Sequence, residues 1–521
     1  MVASVLLLAG CLGYRPMASK DTDTPTDTTT VPDDSGESTP GEADVEGGLL
    51  YEVYVRSFQD SDGDGIGDLA GLEARLPYLE ELGVTVLWLM PVFPSPSVAG
   101  YGVTDYLSVQ PAYGDTAALD SLTTAAAAVG IRIILDVPLN HSSIAHPAFA
   151  DAQADRDSPW RDRYVFADTR YDTERWFASD AGDYYYAYFG SQQPDFDWTT
   201  DATHDDFAEV IQTWQDRGVA GWRVDAVRQL VEEDGVISDS PGCHEVMAWF
   251  VAEAERDHES LVIAEAFYSD DVAGLLSYLG PDTAREADLV LDTTRANVAV
   301  TALAEGDPAP LRALIDTEIA AGAERRVVSF YASHDTDRLP VRVSSATKRR
   351  TLEVLNFTLP GLPMLYYGEE LDMPNGDPQF LQDEPQRTPM QWDDSLNAGF
   401  TTGTTWFNLA PGWETTNVAA ARADPDSVYT LILGLQTLRK RSSALRAGAL
   451  TWVDTGDPAV LAWTVTDATS EVTIAANFST VSLDLPVVDG CLLTPDPDLP
   501  ATGYAIWGSA ELCDLTIPGN P

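Results

Sequence analysis

Between residues 50 and 367 the chain repeats one pattern: a short run rich in Val, Ile and Leu, then a longer stretch with apolar residues at helical spacing. The runs fall at 50–56, 84–90, 131–137, 219–224, 261–264, 289–291, 327–332 and 364–367. Stretches such as 71–82, 117–129, 205–217 and 348–357 lie between them. A continuous apolar run suits a strand buried on both faces, and parallel strands need a long crossover, usually a helix. Eight such units predict an α/β chain folded as a (β/α)8 TIM barrel. The spacing breaks once, with about eighty residues rich in aromatic and Asp residues between the third and fourth runs. That is too long for one loop and one helix. It predicts an inserted subdomain at 142–204, with the barrel built from 47–141 and 205–444. Residues 445–521 alternate in the manner of a C-terminal antiparallel β-sandwich.

The N-terminal segment has a different texture. An apolar run over residues 2–10 ends in Leu-Leu-Ala-Gly-Cys11, too short to span a membrane as a mature helix. It resembles a bacterial lipoprotein signal over 1–11, with Cys11 as the lipid-accepting residue. Residues 12–46 are rich in Asp, Thr and Pro and nearly lack large apolar side chains, which predicts a disordered tether. The expected location is therefore outside the cytoplasm, lipid-anchored to the cell envelope or extracellular, with a monomer as the expected assembly. Cys491 and Cys513 could pair in an exported chain, leaving Cys243 over. Charge narrows the partners. Asp and Glu number 83 against 30 Lys and Arg, a net −53 that lies mostly outside the tether. Such a surface repels nucleic acid and anionic membranes, so the expected membrane contact is the lipid alone. It suits a saline medium, where screening weakens self-repulsion.

Working residues in such barrels stand at the C-terminal ends of strands. Reading those ends gives Asp136 through Asn140 and His141, then Arg223 and Asp225, then Glu265, then His334 and Asp335. Carboxylates, two histidines and an arginine thus converge on one rim. Two carboxyl groups on one rim can divide nucleophilic and acid/base work between them. One is ionised to attack, and Arg223 is expected to hold Asp225 in that state. The other is protonated to release the leaving oxygen, which suits Glu265 at the end of an apolar strand.

These segments, with Gln-Pro-Asp-Phe-Asp-Trp at 193–198, resemble the α-amylase family, glycoside hydrolase family 13, from about residue 49 to the chain end. The resemblance implies a retaining hydrolase with Asp225 as nucleophile, Glu265 as acid/base and Asp335 as the third carboxylate gripping sugar hydroxyls. It implies that Arg223, His141 and His334 hold the same subsite, and that Tyr101 is the ring on which the sugar stacks. The implied substrate is an α-glucan such as starch or maltodextrin.

The run Asp60-Ser-Asp62-Gly-Asp64-Gly-Ile66-Gly-Asp68 places carboxylates at alternate positions on a Gly-rich turn, a pattern that suits a hard cation. Position twelve is Gly71 where an EF-hand needs Glu. The run is instead similar to the calcium loop of oligoglucosidases, which implies structural Ca2+ held by Asp60, Asp62, Asp64, the Ile66 carbonyl and Asp68. Within the family, the segments 386–392 and 397–400 resemble oligo-1,6-glucosidases, α-glucosidases and trehalose synthases. Val98 stands where exo-acting members carry the Asp that seals the pocket, and Ala226 goes with α-1,4 preference. The expectation is therefore internal α-1,4 cleavage, as in the intermediate α-amylase subgroup near the neopullulanases. The alternatives are an exo-acting α-glucosidase or oligo-1,6-glucosidase, a transferase of the trehalose synthase type, and a non-catalytic glucan-binding homologue.

Overall fold

The structure is a computed structural model that describes residues 47–519, apart from 234, 282, 378–383, 485–489, 496 and 497. The leader, Cys11 and the 12–46 tether lie outside the described residues. Eight parallel strands close into a barrel. In chain order these are β1 (Leu50–Val53), β2 (Val86–Leu89), β3 (Arg132–Pro138), and, after the three strands of an insert, β7 (Gly221–Asp225), β8 (Leu261–Ala264), β9 (Leu289–Leu291), β10 (Val327–Ser329) and β11 (Leu362–Tyr366). All eight overlap the apolar runs, with β11 starting two residues before its run. β1 closes the ring by pairing with both neighbours, Leu50 opposite Val86 of β2 and opposite Met364 of β11.

Burial on both faces explains the apolar runs. Leu50, Val86, Ile134, Ile263, Val328 and Met364 pack together inside the barrel. Their outward neighbours Tyr51, Leu87, Ile133 and Leu135 join the larger core formed with the helices. Strand parity then dictates the rim. Two residues beyond Leu50 is Glu52, beyond Ile134 is Asp136, and beyond Ile263 is Glu265. The inward positions thus change from apolar to charged at the C-terminal end, which is how the fold assembles its polar centre.

Between β3 and β7 the chain forms a three-stranded antiparallel sheet of β4 (Phe166–Ala167), β5 (Trp176–Ala178) and β6 (Tyr184–Tyr186), with β6 central. At the C-terminus, β12 (Ala449–Trp452), β13 (Val460–Thr466), β14 (Glu471–Asn477), β15 (Cys491–Leu492) and β16 (Tyr504–Gly508) make one antiparallel sheet in the order β12-β13-β14-β16-β15. The facing layer of the expected sandwich is supplied differently on the two sides. Trp463, Ile474 and Ile506 join the core shared with the barrel, while Ala462, Ala475, Ala505 and Trp507 pack with Leu499 from the intervening loop. A disulfide links Cys491 to Cys513, and Cys243 is free and buried.

Candidate active site

Arg223 is the hub of the rim. It is 1 % exposed. Its Nη1 donates to Asp136 Oδ1 at 2.9 Å and to Asp225 Oδ1 at 2.6 Å, and its Nη2 lies 2.9 Å from Glu265 Oε1. One guanidinium therefore binds three carboxylates from three adjacent strands. Asp136 is fully buried and further held by the Trp88 indole at 3.1 Å and the Tyr101 hydroxyl at 2.9 Å. The other carboxyl oxygen of Glu265 accepts from the Ala226 amide at 3.0 Å. That amide points the right way because Ala226 adopts a left-handed conformation, φ 50° and ψ 42°, immediately after Asp225. A non-glycine residue in this region is strained, and a β-branched one more so.

A second chain of contacts closes the rim. His334 Nε2 lies 2.8 Å from the Tyr101 hydroxyl and 2.9 Å from Asp335 Oδ2, while its Nδ1 binds buried Glu52 of β1. The Tyr101 and His334 rings are nearly parallel, with centroids 5.6 Å apart. Gln386 Nε2 donates to the His334 carbonyl at 2.6 Å, and Arg387 Nη2 lies 3.4 Å from Asp335 Oδ1. On the opposite side His141 Nε2 approaches the Tyr101 carbonyl at 3.1 Å and the Gln193 amide at 2.7 Å. Asn140 donates to Asp195 Oδ2 at 3.0 Å and to the Gln229 carbonyl, tying the insert to the loop after β7. Tyr101, His141, Arg223, Asp225, Glu265, His334 and Asp335 are thus one connected cluster. Sequence reading placed Asp136 on the rim without a role, and did not assign Glu52, Arg387 or the half-exposed Phe267, which lines the same pocket as Glu265 and Asp335.

The two histidines carry different charge. Burial would lower His334, but Asp335 and Glu52 on either side push it up to about 10, so it is a cation at neutral pH. Burial lowers His141 to about 4, leaving it neutral. His334, with Arg387, in turn holds Asp335 well below the usual carboxylate range despite partial burial. For Asp225 the expectation needs correcting. Burial outweighs Arg223, and with Asp136 and Asp335 nearby it pushes Asp225 up to about 6. Burial also raises Glu265 to about 7, against Arg223 and helped by Asp225 and Asp335. The order survives, with Asp225 the stronger acid of the two.

The Asp60 loop lies apart from this cluster. Asp60, Asp62 and Asp68 each bring a carboxyl oxygen within 4.8 Å of the others, the only such grouping among the described residues. Asp64 stands outside the trio, and its Oδ1 accepts from the Ile66 amide at 2.8 Å. Burial alone would raise Asp60, but the Thr401 hydroxyl and the amides of Gly63, Gly65 and Asp62 hold it below its ordinary value. Gly65, at φ +94°, has no room for a side chain, since a Cβ would come within 1.8 Å of the Thr404 carbonyl. The donor chemistry, three carboxylates on a tight turn, fits a hard divalent cation.

Comparison with known proteins agrees with this architecture. The family model described as α-amylase, catalytic domain, matches residues 52–448. The chain belongs to the α-amylase family. Like other members it is a glycoside hydrolase on a closed eight-stranded barrel. It is 29 % identical over 503 residues to a glucan 1,6-α-glucosidase of Streptococcus pneumoniae, covering 84 % of this chain and 92 % of the relative. It is 31 % identical over 470 residues to maltase A2 of Drosophila melanogaster, covering 78 % and 81 %. Among solved structures, the trehalulose synthase of Pseudomonas mesoacidophila MX-45 superposes with a TM-score of 0.78 at 25 % identity, covering 89 % of this chain and 99 % of that one.

Proposed function

We propose that this glycoside hydrolase is a retaining α-glucosidase that releases glucose from the ends of short α-glucans. The observation that carries the chemistry is the single Arg223 guanidinium shared by Asp225 and Glu265. It sets two carboxyl groups side by side, compatible with the short separation of a retaining enzyme. In this reading Asp225 attacks the anomeric carbon and forms the glycosyl ester, while Glu265 protonates the departing oxygen. Glu265 then takes a proton from the water that cleaves the ester. Asp335 and cationic His334 bind hydroxyls of the sugar in the cleavage subsite, with His141 opposite and Tyr101 beneath the ring. End-wise action rests on relatives named glucosidase and maltase, which shift the weight from internal cleavage to the exo-acting alternative. Internal α-1,4 cleavage remains the second reading because Val98, an uncharged residue three positions before Tyr101, is 58 % exposed. Early products decide between them. Glucose as the first product from maltotriose, isomaltose and soluble starch is the expected result; mixed oligosaccharides from starch would hand the case to internal cleavage.

The pH profile follows from the two carboxyl groups. Below about 6 Asp225 is protonated and cannot attack; above about 7 Glu265 has lost the proton it must give. A narrow bell in kcat/KM peaking between those limbs is expected, the limbs belonging to the pair as a whole. With an α-glucosyl fluoride, whose leaving group needs no proton, Glu265→Gln should keep the acid limb and lose the alkaline one. An alkaline limb that persists would remove Glu265 from the acid role.

The same proposal includes structural Ca2+ on the Asp60 loop, held by Asp60, Asp62 and Asp68, with Asp64 and the Ile66 carbonyl as further donors. A cation there would neutralise three crowded carboxylates. At a hundred times its Kd, free calcium adds about 2.7 kcal/mol of stability, so chelation should lower Tm by several degrees and added calcium should restore it. Asp62→Asn should melt like the chelated enzyme. A Tm indifferent to both would discard the site.

A further inference from the structure

After β7 the chain runs through Leu230, Val231 and Glu232 to Glu233, which forms a β-bridge with Val236. Between this loop and the inserted sheet lies a cavity of about 540 Å3. Tyr171, Trp176, Tyr186 and Trp198 line it from the insert, and Glu232 and Ile237 line it from the loop. It shares no lining residue with the pocket around Arg223 and Glu265.

Its lining has the features that a sugar needs. Trp176 meets Tyr171 edge-on at 5.2 Å and Tyr186 edge-on at 5.3 Å, so three rings run from the mouth inward. Tyr171 is 73 % exposed, so its ring is open to solvent at the mouth. Farther in, the Tyr186 hydroxyl and Glu232 Oε1 are buried with no hydrogen-bond partner in the protein, although Tyr186 is 3 % exposed. Buried polar groups without partners are rare and costly. Burial, then the neighbouring charge of Asp195, pushes Glu232 up to about 9, so at neutral pH its carboxyl can donate as well as accept. Asp172 and Asp197 also line the cavity, and the whole chain carries a net −53, so an anionic ligand is disfavoured. The volume falls within the range of about 300–1,000 Å3 typical of small-molecule sites.

From the rings at the mouth and the unpartnered Tyr186 and Glu232 within, we infer that this cavity is a second, non-catalytic carbohydrate site. It takes one or two neutral pyranose units, stacked on Tyr171 and Trp176 with hydroxyls reaching Tyr186 and Glu232. The assignment of those units to glucose rests on the glucosidase reading, whereas the class of ligand rests on the cavity. Such a site would hold a longer chain on the enzyme while its end is cleaved.

The test is calorimetric titration of maltotriose into full-length Glu265→Gln, whose turnover is slowed by about 10^2–10^4-fold. Two sites are expected, falling to one when Tyr171→Ala and Trp176→Ala are added. In the active enzyme the same two substitutions should leave kcat/KM on p-nitrophenyl α-glucoside within twofold and raise KM for maltoheptaose about tenfold. Tyr171→Ala alone removes an exposed ring, cannot empty the core, and should raise that KM severalfold. A single site in Glu265→Gln overturns the inference, as do two sites that survive both substitutions, or an unchanged KM for maltoheptaose. An enzyme inert on every glucoside yet still binding two maltotriose molecules would instead overturn the glucosidase reading and leave this site standing.

Discussion

Asp225→Asn should lower kcat by about 10^4-fold or more, the scale on which removal of a nucleophile acts. Glu265→Gln should cost about 10^2–10^4-fold on substrates whose leaving group needs a proton. Neither loss should come from misfolding. Both carboxyl groups are mostly buried and raised, so each is ionised less readily in the folded chain than in the unfolded one. For such a group stability is greatest at low pH and is lost as pH climbs from its unfolded value through its folded one. The amide variants remove that loss. At pH 7 each should therefore melt no lower than the parent, and a shift upward of a few degrees is expected. Near-normal turnover in either variant overturns the assignment, and a collapse in Tm would attribute the lost activity to structure.

Arg223→Met should be the most damaging single change to the fold. Asp136, Asp225 and Glu265 all lose their shared cation. Breaking a buried ion pair from one side typically costs about 3–5 kcal/mol. Without the guanidinium all three carboxyl groups rise further, so the variant is least impaired where they are neutral. Urea unfolding at pH 5 and pH 8 checks the sign. The deficit relative to the parent should be larger at pH 8, and a deficit independent of pH would mean that Arg223 acts through packing against the Trp88 ring, 5.0 Å away.

The barrel was readable because its strands are buried on both faces and so cannot hide their apolar character. Their ends were less so. The run 50–56 stops being strand at Val53 and becomes the short helix Val55–Phe58. Little in the local pattern marks that change, because Val55, Ser57 and Phe58 are buried like the strand before them. The central site was legible where parity puts charge directly after an apolar strand, as at Glu265. It was illegible where a residue matters through a distant partner. Glu52 looks like a stray acid in an apolar strand, yet it meets His334 across 282 positions of sequence. A carboxylate in the middle of a buried run was a usable signal. Arg387 lay in a segment read only as a marker of kinship, and its contact with Asp335 becomes visible when the loop after β11 folds back. The depressed value expected for Asp225 failed for a different reason. The sequence shows the neighbouring arginine but not the depth of burial, and burial is the larger effect.

The pairing of β1 with β11 has a consequence for how the enzyme is made. Leu50 and Met364 are neighbours in space, and Glu52 reaches His334 only when that seam is shut. During synthesis the first strand must wait until the last has emerged. A nascent chain cut short of β11 retains Asp225 and Glu265 but has an open ring, with no strand to complete the wall beside Glu52. Enzymatic activity is therefore a proofreading signal for the finished barrel, absent from partial products however much of the rim they already carry.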